Sequence, residues 1–198
     1  MRTLIFLSLF IFVGGCADDV PPVPKPRSYP RVDYPVRATA AFREDYCHFT
    51  FERPASTTVV QETSYFDEAP ADPCWFNLRL APALNGTLHF SYYPVASREQ
   101  WEELRDEAFE LVGVHNQRAS SIEEIVIHRD SARVHGVAFD IAGPAASPFQ
   151  FFLTDSTEHF LRGALYFETQ PNPDSLGPVI DYVKEDIFRI VETLAWED

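Results

Sequence analysis

The hydrophobic pattern changes twice along the chain. Residues 4 to 13 are almost continuously apolar, residues 17 to 46 follow no period, and from Cys47 onward apolar positions either alternate or recur at helical spacing. The runs HFTFERP, TTVVQET, CWFNLRL and GTLHFSYY read as four strands, the last entered through an Asn85-Gly86 turn. In CWFNLRL, Phe76, Leu78 and Leu80 fall on one side and Trp75, Asn77 and Arg79 on the other. One face of that strand is therefore expected in the core.

A helical period follows. Ser97 with Gln100 three residues on is a capping-box signature, and Trp101, Leu104, Ala108, Leu111 and Val112 then recur on one stripe. Its opposite face is acidic, from Glu99 to Glu110, and reads as solvated. Four more strands follow, IEEIVIH, RVHGVAFDI, FQFFLT and HFLRGALYFE, joined by RDSA, AGPAASP and DSTE. Connections this short force antiparallel neighbours, so the four form a meander. In RVHGVAFDI, Val137, Phe139 and Ile141 share one face, while Val134, Gly136, Ala138 and Asp140 share the other. Small residues on that second face predict close packing, so the sheet is expected to be covered on part of both sides. After a Pro-Asn-Pro-Asp turn, a stripe running from Leu176 through Val183 and Ile187 to Leu194 predicts a last amphipathic helix. The order gives a single α+β domain, an antiparallel sheet with a C-terminal four-strand meander and two packed helices. By element order it loosely resembles the PsbP/Mog1 type of fold.

The ends assign a compartment. MRTLIFLSLFIFVGG carries one Arg, a short apolar run and two Gly before Cys16, which reads as a secretory signal of a lipoprotein. Cleavage before Cys16 would leave a lipidated residue at the new N-terminus, and two or three acyl chains hold a protein on a bilayer without a membrane-spanning helix. The expected organisation is a signal peptide over 1–15, a lipidated Pro-rich tether over 16–46 and a globular α+β domain over 47–198. The segment PKPRSYPRVDYP could also dock along a groove, since it interleaves aromatics and Arg with its prolines.

Charge narrows the partners. The chain has a formal net charge of −14, and loss of residues 1–15 removes one Arg and no acid. Nucleic acid and anionic headgroups are thus unfavourable partners for the domain. With Cys16 assigned to lipid, Cys47 and Cys74 remain as a pair in an exported protein, and a disulfide is expected. Closing that loop stabilises by roughly 3 to 4 kcal/mol on the chain-entropy account.

The densest concentration of reactive side chains lies in TDSTEHFLRGALYF, residues 154 to 167. Asp155 can close an Asx-turn on its own backbone, and Ser156 and Thr157 are ordinary turn residues. No G-x-S-x-G elbow surrounds Ser156, so no catalytic residue is assigned. His128 and His135 flank a tight turn and could approach each other across strands, yet no ligand spacing such as H-x-x-x-H accompanies them, and neither metal nor cofactor is expected. Asp140 and Arg162 interrupt apolar strands and are expected either to pair with each other or to line a binding surface. Asp140, Asp155, Thr157, His159 and Arg162 form the candidate interaction surface.

The run from VHGVAFDI through FFLTDSTEHFLRGALYF to FRIVETLAW, over about sixty residues, resembles the GldD gliding-motility lipoproteins of Bacteroidota. PKPRSYPRVDYP, Cys47, the Cys74-Trp75 pair and GTLHFSYY match as well. The resemblance implies an envelope lipoprotein needed for gliding and for the linked type IX secretion machinery. It carries over no catalytic residue. The expectation is a non-enzymatic assembly or stability factor, membrane-anchored and facing the periplasm, whose partners are other gliding and type IX secretion envelope proteins. The alternative is a periplasmic enzyme or small-ligand binder using Asp140, Asp155, His159 and Arg162.

Overall fold

A computed structural model of the chain describes residues 29, 31–64 and 68–197. The expected signal peptide and the expected lipidation site Cys16 lie outside the described residues. Strands β1 (Thr39–Phe42), β2 (Phe49–Pro54), β3 (Thr58–Gln61), β4 (Phe76–Arg79) and β5 (Gly86–Pro94) precede helix α1 (Arg98–Gly113). Then come β6 (Ser121–Arg129), β7 (Val134–Ala142), β8 (Phe149–Thr154), β9 (His159–Phe167), helix α2 (Pro173–Thr193) and the two-residue β10 (Ala195–Trp196). The large sheet runs β3-β4-β5-β9-β8-β7-β6, and a smaller one runs β1-β2-β10. Every pairing among the described residues is antiparallel.

The predicted alternation sorts residues to the two faces of the large sheet. On one face Phe76, Leu78, Leu88, Phe90, Phe151 and Leu161 are buried beneath α2 and the small sheet. Helix α2 supplies Val179, Val183, Ile187, Ile190 and Val191, and Phe42, Phe49 and Phe51 of the small sheet stack among themselves and on Phe76 or Phe90. Gly163 permits this core, because a Cβ there would stand 2.3 Å from the ring of Phe151. On the other face α1 covers Phe139, Ile141, Phe152 and Phe160 with Ala108 and Val112. The helix begins as expected: Ser97 Oγ accepts from the Gln100 N–H at 3.2 Å, and the Gln100 side chain reaches back to the Ala96 N–H at 2.8 Å. Both faces are therefore covered in part, as the small residues of β7 required.

Cys47 and Cys74 are joined in a disulfide with Cα atoms 4.8 Å apart, inside the ordinary span for such a bond. It ties the lead-in of β2 to the lead-in of β4.

The tether is shorter than the sequence suggested. Within the stretch 16–46, β1 pairs along β2 and Phe42 is fully buried. Tyr34 packs on Tyr182 of α2 with ring centroids 4.8 Å apart, and the Tyr182 hydroxyl donates to the Pro35 carbonyl at 2.8 Å. Arg37 lies over the Tyr182 ring and bridges Glu185 and Asp186. The end of PKPRSYPRVDYP, with the Arg37 that follows it, thus lies on the chain's own helix. Proline-rich composition masked the docking, since the cost of burying its backbone is met by only a few contacts that come from far along the sequence.

Candidate functional site

The hairpin tip between β8 and β9 forms where expected, with Thr154 and Phe160 as the last cross-strand pair. Its chemistry is spent on its own backbone. Asp155 Oδ1 accepts from the N–H groups of Thr157, Glu158 and His159 at 2.8 to 2.9 Å, and Oδ2 accepts from the Thr157 hydroxyl at 2.6 Å. Burial pushes the Asp155 carboxyl up, but the Thr157 hydroxyl and the three backbone donors outweigh it and hold the group at about 2. Ser156 takes a left-handed φ of 68°, and its own N–H donates to Thr154 Oγ1 at 2.9 Å.

His159 faces away from Ser156. Its Nδ1 is hydrogen-bonded to the Tyr92 hydroxyl at 2.7 Å, and its ring stacks on Trp196 with centroids 4.8 Å apart. Burial lowers its pKa, against Asp155 and Glu158, which raise it. Burial also pushes the Tyr92 phenol up, helped by Asp72, Asp155 and Glu158. The result is a neutral pair sealing the end of the core, with the imidazole committed to Tyr92 and not to the Ser156 hydroxyl.

Asp140 and Arg162 do not pair. In the register Asp140 sits opposite Phe149, which packs against Phe188 of α2, while Arg162 sits opposite Phe152, which α1 covers. Alternation across the pleat puts the two charges on opposite faces of the sheet. Asp140 instead takes Lys184 of α2, with Nζ 2.6 and 2.7 Å from its two oxygens. Lys184 stands four residues after Ile180 and one after Val183 on the margin of the apolar stripe, and that is the signal that could have found it. Arg162 donates to Gln150 Oε1 at 3.0 Å, and Gln150 in turn meets His115 Nε2 at 2.9 Å. Burial lowers the pKa of His115, and the Arg162 cation lowers it further.

Arg162 also lines a cleft of about 470 Å³ between the sheet and α1, with Asn77, His89, Ser91 and Tyr166 from the sheet and Glu107 and Leu111 from the helix. His89 Nδ1 lies 2.7 Å from Asn77 Oδ1, and the Asn77 amide donates to Glu62 at 3.0 Å. Burial lowers the pKa of His89, with Glu62 opposing. Of the candidate interaction-surface residues Asp140, Asp155, Thr157, His159 and Arg162, only Arg162 enters this cleft. Asp155 and Thr157 are at the end of the sheet, His159 is in the α2-side core beside them, and Asp140 is beneath α2.

Among the described residues one further cluster lies at the β6–β7 turn, where the two histidines do approach across strands although no ligand motif marks them. His128 and His135 are direct cross-strand partners on β6 and β7, with their Nδ1 atoms 3.3 Å apart and Asp130 beside them. The sequence sets them seven positions apart but does not show the hairpin register that brings them face to face.

Comparison with known proteins adds a lineage to this geometry. A family model described as gliding motility lipoprotein GldD matches residues 19–196. The chain belongs to the GldD gliding-motility lipoprotein family. That membership makes it a membrane-associated lipoprotein of the cell envelope with a role in gliding. Among solved structures, the solution structure of cyanobacterial PsbP from Synechocystis is similar at a TM-score of 0.47 and 10% identity, over 82% of this chain and 94% of that one. A search of curated proteins found no match.

Proposed function

We propose that the chain acts as a non-enzymatic assembly or stability factor for the gliding apparatus and the linked type IX secretion machinery. Lipid on Cys16 holds it to the membrane, and the domain faces the periplasm and binds protein partners there. What supports this reading is the dispersal of the reactive side chains. Asp140, Asp155, His159 and Arg162 occupy two faces and one end of the sheet, and all four are engaged in local hydrogen bonds or ion pairs. A general acid, a base and a nucleophile must converge within hydrogen-bond reach to act together.

The test is a photo-crosslinking amino acid at the exposed Val126, in intact cells of a strain that depends on this protein for gliding. Adducts with gliding or secretion envelope proteins are expected, and Cys16→Ala should abolish both adducts and gliding. Ser156→Ala and Arg162→Gln should glide at normal protein level. Loss of gliding in Ser156→Ala cells at normal abundance, with adducts intact, overturns the reading in favour of chemistry.

The cleft beside Arg162 supports a second reading, a small-ligand-binding protein. A carboxylate-bearing small molecule that raises the melting temperature of the purified protein, and fails to do so with Arg162→Gln, would favour it.

A further inference from the structure

The β6–β7 hairpin is built unlike a free loop. A short turn over Asp130–Ala132 closes it, with Arg133 in the left-handed region at φ 53°. On the α2 side the hairpin is clamped: Arg129 donates to the carbonyls of Val191 and Leu194 at 2.8 and 2.9 Å, and the Trp196 indole donates to the Arg133 carbonyl at 3.0 Å. On the other side His128 and His135 project from directly opposed backbone positions at the β6 edge of the sheet, where neighbouring Val126 is 76% exposed. The His128 imidazole is thus presented to solvent, and the half-buried His135 imidazole beside it, from a fixed backbone.

Their geometry suits a shared metal as well as it suits a hydrogen bond between them. Two nitrogens bound to one tetrahedral cation at about 2.0 to 2.1 Å stand about 3.3 to 3.4 Å apart, and the two Nδ1 atoms are 3.3 Å apart. Without a cation, two neutral rings can place only one proton between those nitrogens. With Nδ1 of both rings on a metal, each Nε2 carries its hydrogen outward. His128 Nε2 then donates to Asp130 Oδ1, 3.0 Å away, and the same oxygen lies 4.0 Å from His135 Nε2. A carboxylate receiving the remote N–H of a ligating histidine fixes its tautomer and raises its basicity. Imidazole donors select zinc, nickel or copper over magnesium and calcium.

We propose that His128 and His135 chelate one divalent transition cation of the zinc class through their Nδ1 atoms, with Asp130 positioning His128. The side chains of His128 and Asp130 are 67% and 76% exposed, so the remaining coordination positions open to solvent. Water, or a donor from a neighbouring protein, completes the shell. The site is independent of the cleft beside Arg162 and of the assembly role, and neither stands or falls with it.

The experiment uses full-length protein, extracted in detergent and purified without a polyhistidine tag, titrated calorimetrically with zinc chloride. One site per chain is expected, with no response to magnesium. His128→Gln and His135→Gln should each weaken zinc about a hundredfold and Asp130→Asn about tenfold, while His89→Gln leaves the affinity unchanged. Absence of zinc binding, or binding that survives both histidine replacements, overturns the proposal and assigns any uptake to the acidic surface at large. Copper(II) loaded on the unaltered protein gives a check that needs no variant. Its electron paramagnetic resonance spectrum should show two equatorial nitrogens, and an all-oxygen spectrum overturns the assignment equally.

Discussion

The two hairpin tips of the meander stand at the same end of the sheet, since His135 pairs with Thr154, yet they use their polar residues in opposite ways. The β8–β9 tip holds the richer set, an Asp, a Ser, a Thr, a Glu and a His within five residues. Asp155, Thr157 and His159 are consumed in holding the turn or closing the core. The β6–β7 tip holds little that a motif search would stop at, and its backbone is satisfied by its own turn and by α2. Its imidazoles are left over. What a segment can do chemically depends on the donors and acceptors that remain after its backbone is paired, and residue types alone do not reveal that remainder.

Removing the consumed group should hurt most. Asp155→Ala strands the buried N–H of His159, the part-buried N–H groups of Thr157 and Glu158 and the Thr157 hydroxyl, and should cost about 3 kcal/mol, seen as a melting temperature lower by roughly 10 °C. A loss below a degree would mean that water replaces the carboxylate, and the contrast between the tips would fail. Removing only the charge should have the next largest effect. The folded carboxyl sits at about 2 against an ordinary 3.8, so its stabilisation is fully present above about pH 5 and disappears as the pH falls through about 2. The gap in stability between the natural protein and Asp155→Asn should be roughly 2 kcal/mol at pH 6 and close across that window. A gap that persists at the acid end would show that shape, not charge, makes the turn.

Ser156 tests the same tip from its idle side. It occupies a left-handed conformation and contributes its backbone N–H to the turn, so Ser156→Ala should change stability by less than about 1 kcal/mol. Ser156→Gly should match the natural protein or exceed it slightly, because glycine adopts that conformation without strain. Smallest of all, His128→Gln in metal-free buffer should leave the melting curve where it was, within about 0.5 kcal/mol. A large drop there would mean that the β6–β7 tip also spends its side chains on folding.

These contrasts also show where the sequence was readable. The capping residues Ser97 and Gln100, the alternation of Phe76 and Leu78 against Asn77 and Arg79, and the four strands of the meander are all local patterns, and each is found in place. The misses are non-local. Strand β1 is four residues with one large apolar side chain, and β10 is two; both exist only because β2 offers them an edge. Lys184 meets Asp140 across 44 positions of chain, and no pattern near Asp140 announces it. The candidate cluster at His128 needed the turn register, which a shift of one residue would have destroyed.

The docking of Tyr34, Pro35 and Arg37 on α2 sets a leash length. Measured from Cys16, the first side chain packed against the core among the described residues is Val32 and not Cys47. With lipid on Cys16, as proposed, and at about 3.5 Å per fully extended residue, the greatest distance from lipid to fold drops from ~110 Å to ~55 Å. The volume an anchored domain can sweep scales with the cube of that radius, so halving it concentrates the domain about eightfold near its own membrane. Partners within that shell meet it at high effective concentration, and anything seated deeper in the envelope must come to it.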